Sequence, residues 1–90
     1  MRLLISPRAN DDVDNLAARV ALDSHEAADR FVRAAYATFQ SLTDHPRRGR
    51  LRAFTSTAAR GTRSIIIPGF PNYLVFYKPG PRRVLITRVL

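Results

Sequence analysis

Residues 62–90, "TRSIIIPGFPNYLVFYKPGPRRVLITRVL", decide the fold. Three runs rich in branched and aromatic residues, "TRSIIIP", "NYLVFYK" and "RRVLITRVL", are separated by "PGFP" and "PGP". Pro and Gly at those positions interrupt strands rather than extend them, so the runs read as three strands joined by hairpin loops. Side chains on a strand alternate faces. Tyr73, Val75 and Tyr77 therefore share one face of the middle run, and Leu74, Phe76 and Lys78 the other. Both faces are largely apolar, which suits a central strand.

Upstream of these runs the period changes from two to that of a helix. Ser6 is placed to cap a helix and Pro7 to fill its first position. Ala9, Val13, Leu16, Ala17 and Val20 then recur on one stripe, ending near Ala21 or Leu22. Asp11 and Asp12 are expected near the positive end of that helix dipole. A second helix starts at once, with Ser24 as its cap and Glu26 in its first turn. Its inner face is Ala28, Phe31, Ala35, Phe39 and Leu42, widened by Val32 and Tyr36, and it runs to about Thr43. So short a connection predicts an antiparallel helical hairpin. "RLLI" before the first helix is a short strand candidate, and "DHPRRGRLRAF" after the second, continued by "TSTAARG", is a basic connector. The order predicts an α+β fold: an N-terminal strand, a helical hairpin, then a three-stranded antiparallel sheet, with a fourth strand possible. Ninety residues support one core, so residues 1–90 are expected to form a single domain.

Composition narrows the chemistry. The chain has no cysteine, which excludes disulfides, thiolate metal sites and a cysteine nucleophile, and suits a reducing compartment. No apolar run approaches the roughly 18 residues needed to span a bilayer. "MRLLIS" is too short for a signal peptide, so a cytoplasmic protein with no membrane partner is expected. All seven acids lie in residues 1–44, which carry five Lys and Arg, whereas residues 45–90 carry ten Lys and Arg and no acid. That asymmetry points the second half at an anionic partner: nucleic acid, a ribosome or an acidic protein segment. The two histidines, His25 and His45, are far apart in sequence, and no Gly-rich phosphate loop follows a strand. No metal, no cofactor and no catalytic residue are expected.

Several pieces also match a known family. "SPRANDDVDNLA", "FQSLTDHPRRGRLR", "GTRSIIIPGFPNYLVFYK" and "VLITRVL", in this order and spacing, resemble the toxins of the RelE/ParE superfamily of bacterial toxin–antitoxin pairs. The resemblance covers nearly the whole chain and is closer to the ParE branch. It implies a type II toxin, neutralised when a cognate antitoxin wraps an acidic, partly disordered segment around it. For the ParE branch it further implies inhibition of DNA gyrase by protein–protein binding rather than by catalysis. The alternative, resembling the RelE branch, is a ribosome-dependent endoribonuclease that cuts mRNA. In similar toxins the strand like "ITRVL" runs into a short tail of the His-Gly-Ala-Arg type; the sequence stops at Leu90, as a shortened member or with that tail removed, which puts in doubt any activity that needs a tail arginine, histidine or tyrosine.

Candidate contacts for the target or antitoxin are Arg63, Lys78 and Arg88, with Tyr73 and Tyr77 as aromatic anchors, a mix typical of binding hot spots. Arg47, Arg48, Arg50 and Arg52 in the connector are candidates to grip an acidic antitoxin or gyrase, the ordinary alternative being a solvated charge run. Arg63 stands out at the start of its strand; the ordinary alternative for it is an ion pair with a hairpin acid. The last strand is expected at the sheet edge, where an uncovered strand would favour a homodimer or an antitoxin complex.

Overall fold

The computed structural model describes all 90 residues. In chain order it contains β1 (Arg2–Ile5), α1 (Pro7–Ala21), α2 (His25–Ser41), β2 (Arg50–Leu51), β3 (Arg63–Ile67), β4 (Phe70–Pro79) and β5 (Arg83–Val89). Both helices begin where their caps predict. Ser6 Oγ accepts from the Ala9 N–H at 3.0 Å, and Ser24 Oγ from the Ala27 N–H at 3.1 Å. Each satisfies one of the backbone donors a helix start leaves free. The predicted inner face of α2 is buried at all five positions.

The sheet has five strands in the order β1-β5-β4-β3-β2, which is α+β as expected but larger than three strands. The two additions come from short segments. β2 is a two-residue pairing of the connector with β3, too short to leave a periodic signal. β1 pairs with β5 in parallel, Arg2 beside Arg83 through Ile5 beside Ile86, so the sheet is mixed rather than wholly antiparallel.

This pairing also corrects the expectation that β5 is an edge strand, because β5 lies between β1 and β4. Past Ile5 its free side is closed by the start of α1. The Ser6 N–H donates to the Ile86 carbonyl, Ser6 Oγ donates to the Thr87 carbonyl, and the Val89 N–H donates to Asp12 Oδ2. An unpaired row of donors and acceptors that would invite another strand is thus consumed within the chain.

Two local features follow from Pro and Gly. Between β3 and β4 the turn is Pro68-Gly69, and Gly69 has φ +84°, the left-handed conformation that glycine adopts without a Cβ penalty. The β3–β4 register then shifts between Ile66 and Ile67, opposite a stretch of β4 that contains Pro71. A proline cannot donate to the ladder, so pairing skips past it.

The core lies between the hairpin and one face of the sheet. Phe31 and Phe39 from α2 and Leu42 at its C-cap meet Ile67, Val75, Tyr77, Val84, Ile86 and Val89 from the strands, all essentially without solvent contact. Phe31 meets Phe70 and Tyr73 edge-on, with ring centroids 5.3 and 5.2 Å away, a geometry that favours aromatic pairs beyond area burial. The other face of the sheet has no helix over it.

Candidate interaction groove on the open face of the sheet

Strand alternation sends Phe76 and Lys78 of β4 to the face without helices. Phe76 is the floor of a groove of about 540 Å³. Phe54 stands against it with ring centroids 6.5 Å apart, and Leu90, Ala58 and Ala59 extend the apolar lining. Phe54 and Leu90 remain well exposed, so the apolar surface is open to a partner.

Two guanidinium groups border the groove. Arg52 lies 6.0 Å from the centroid of the Phe76 ring and donates to Ser64 Oγ at 3.3 Å. Its backbone N–H donates to the Thr62 carbonyl, extending the β2–β3 ladder by one bond. Arg88, on β5 directly beside Phe76, is the other. It binds Asp12 through Nε at 2.8 Å and Nη2 at 2.9 Å. The Arg88 bond holds the Asp12 carboxyl below its usual range; partial burial opposes this and the Val89 N–H reinforces it. Asp12 lies in the second helical turn, not the first, so Arg88 and Val89 rather than the helix dipole account for its charge.

The wall between Arg52 and β3 is the connector, which loops over the sheet between residues 53 and 61. Ser56 starts a turn that receives the Ala59 N–H, and Gly61 at φ +84° reverses the chain into β3. Lys78 braces this loop by donating to the Ala58 carbonyl at 3.1 Å. At the other wall the β4–β5 register shifts between Phe76 and Tyr77. Thr87, the extra residue of that bulge, donates to the Phe76 carbonyl at 3.0 Å. Bulges bend a strand and re-aim its neighbours, here Arg88.

The nine residues expected to make contacts do not form one site. Arg88 borders the groove and Lys78 supports its loop. Tyr73 is half-buried against Phe31 beneath the helices. Tyr77 is fully buried, which corrects its expected role as an exposed anchor. Its hydroxyl accepts the Gly49 N–H at 2.8 Å, and burial pushes its phenol pKa up, against the opposing effect of that bond. Gly49 is required there: a Cβ would come within 2.5 Å of the Tyr77 hydroxyl and 2.9 Å of the Ser64 carbonyl oxygen.

Arg63 belongs to the same cluster. Its guanidinium donates to the Gly49 carbonyl at 2.8 Å and the Arg47 carbonyl at 3.2 Å, so its partners are connector carbonyls rather than a hairpin acid. Arg48 donates to Ser41 Oγ at 2.7 Å, while Arg47 and Arg50 are exposed. Arg52, expected among the connector arginines, does border the groove, whereas sequence reasoning left Phe54, Phe76 and Leu90 out of the site. The available signal was that Phe76 shares a face with Lys78 and not with Tyr77.

A helical hairpin on one face of a mixed five-stranded sheet, with the other face left as an apolar, arginine-bordered groove, defines the class: a small α+β protein with one sheet face left open. A family model described as the ParE toxin of type II toxin-antitoxin system, parDE, matches residues 3–90. The chain belongs to that family of toxins. A solved structure titled "Chromosomal ParDE TA system from P. aeruginosa" shares the fold, with a TM-score of 0.77 at 20% identity, covering 99% of this chain and 92% of that one. No curated protein matches the sequence.

Proposed function

We propose that this toxin inhibits DNA gyrase by protein–protein binding, and that an acidic, partly disordered segment of its cognate antitoxin neutralises it by covering the open-face groove. The observation that carries this reading is the groove itself: exposed Phe54 and Leu90 beside Phe76, with Arg52 and Arg88 at the border. Aromatic and arginine side chains of this kind dominate protein-binding hot spots. A carboxylate-bearing amphipathic segment would complement both the apolar floor and the guanidinium groups.

Binding rather than RNA cleavage is favoured by what lines the groove. Its polar groups are two guanidiniums and the hydroxyls of Ser56, Thr62 and Thr87. Cleavage at a 2′-hydroxyl calls for a base and an acid that titrate nearer neutrality. The Tyr77 phenol is on the buried face, and the Lys78 amine is occupied by the Ala58 carbonyl. The proposed setting is the cytoplasm, where gyrase acts; no helix of the chain is long and apolar enough to cross a membrane. A homodimer would have to use the groove or the short outer strands β1 and β2, since β5 is internal.

The test is supercoiling of relaxed plasmid by purified gyrase, titrated with the toxin and then with added antitoxin. Inhibition that the antitoxin reverses is expected. Full supercoiling at large toxin excess, together with cleavage of ribosome-bound mRNA, would replace this reading with the endoribonuclease one.

A further inference from the structure

The groove engages only part of the positive charge. Of 15 Lys and Arg residues, Arg88 alone forms an ion pair with a carboxylate. Strand pairing gathers several of the others at one end of the sheet. Arg2 lies directly beside Arg83 in the parallel β1–β5 register, and the Arg2 N–H donates to the Arg82 carbonyl. The next strand ends there with Lys78 and Pro79, opposite Leu85 and Val84. The strand after that begins there with Arg63, opposite Tyr77. Arg63 in turn draws in Arg47 by its bond to that residue's carbonyl. A depression of about 550 Å³ between Arg47, Arg63 and the Pro79-Gly80-Pro81 turn joins the two groups.

Arg2, Arg47, Arg82 and Arg83 are exposed. No acid lies in the strands that form this end or in the turn before β5, and the one acid of the connector that carries Arg47 is Asp44, three residues before it. Like charges placed side by side repel, and Arg2 beside Arg83 is such a pair. An arrangement of this kind gains most from a polyanion that neutralises several charges at once.

Three features choose the polyanion. The depression has no aromatic ring in its lining, and its large apolar side chains are Met1 and Leu51 alone, so the anchors expected of a protein interface are sparse. Single-stranded nucleic acid is held by stacking on aromatic side chains, which this end does not offer. Five strands about 4.8 Å apart span about 19 Å, which matches the rise of about five to six phosphates along one strand of a duplex.

We infer that this strand-end surface binds the phosphate backbone of duplex DNA without sequence preference, as a site separate from the apolar groove. Arg2, Arg82, Arg83 and Arg47 supply the phosphate contacts, and Arg63 is a positioning residue that fixes the turn carrying Arg47. The inference rests on charge and register and does not depend on gyrase being the target.

The experiment is fluorescence anisotropy of a labelled mixed-sequence duplex of about 20 base pairs, titrated with the toxin at several salt concentrations. The triple variant Arg2→Gln, Arg82→Gln, Arg83→Gln is compared with Arg19→Gln, Arg30→Gln, Arg33→Gln, which removes the same charge from exposed positions of the helical hairpin. The expected result is a steep salt dependence that falls by about three in log–log slope in the strand-end triple, with affinity down about tenfold or more. The hairpin triple should lose less than about threefold by comparison. Equal losses in the two triples would overturn the inference, as would tighter binding of the matching single strand. Absence of duplex binding, with polyglutamate bound through the same three arginines, would assign the surface to an acidic protein instead. Thermal melting of both variants controls for folding, and the melting temperature of the strand-end triple should hold or rise as like-charge repulsion is relieved.

Discussion

β4 serves two faces with opposite requirements. Toward the helices it presents Val75 and Tyr77, both without solvent contact; toward the open side it presents Phe76 and Lys78, both partly exposed. The first pair is closed over by α2, and the second is bordered by a loop and two arginines. Apolar residues one position apart on the same strand therefore sit in different surroundings, one in the core and the other on the open face for which a binding role is proposed. The division should appear in measurements, since removing a ring from one face ought to cost folding and removing one from the other ought to cost binding.

The largest contrast is expected between Phe39→Ala and Phe54→Ala. Phe39 is fully buried at the centre of the core. Its truncation should cost about 3–5 kcal/mol in chemical denaturation, a large share of the stability of a chain this size. Phe54 is 42% exposed and its ring touches the groove rather than the core. Truncating it should change stability by less than about 1 kcal/mol while weakening antitoxin binding measured by titration calorimetry. Equal destabilisation by both variants would abolish the distinction between the faces.

A smaller effect is expected at the pin between β4 and the connector. Tyr77→Phe keeps the ring and its packing but leaves the buried Gly49 N–H without its acceptor, a loss of about 1–3 kcal/mol. The pH dependence sharpens this. A phenol whose folded pKa is raised favours the neutral native form, so its contribution is fully present below the ordinary tyrosine range near 10 and is lost as pH rises beyond it. Thermal melts of the two proteins should therefore converge in alkali. A gap that stays constant with pH would mean that the hydroxyl contributes through packing alone.

The two sides also differ in how much of them could be read from sequence. Helix starts, the inner face of α2 and the hairpin were legible because their signals are local: a serine cap, then apolar residues every third or fourth position. Alternation along β4 gave the facing of its side chains correctly. It could not say which face would receive the helices, and Tyr77 was accordingly expected at the surface. Longer-range pairings leave no pattern at all. Gly49 and Tyr77 are 28 residues apart, Asp12 and Arg88 are 76 apart, and β1 finds β5 across nearly the whole chain. The groove is assembled by such pairings, so its arginines were visible as candidate contacts but not as one site with Phe54, Phe76 and Leu90.

Asp12 crosses the division, and the smallest expected effect lies there. From α1 it holds both the Val89 backbone, whose side chain is core, and the Arg88 guanidinium, which borders the groove. Asp12→Asn keeps an oxygen for the Val89 N–H but removes the charge and one of the two bonds to Arg88. A drop in Tm on the order of a few degrees is expected at neutral pH. The sign with pH is opposite to that of Tyr77. A carboxylate whose folded pKa is depressed contributes stability above its unfolded value near 3.9, and that contribution is lost as pH falls through the folded pKa. The variant and the parent should therefore converge in acid. At neutral pH the freed Arg88 has no remaining carboxylate to satisfy, so antitoxin binding by the variant should be at least as tight as by the parent and steeper in its salt dependence. Weaker binding would show that the groove needs Arg88 fixed in place rather than merely charged, making Asp12 part of the recognition surface despite its place on a helix of the opposite layer.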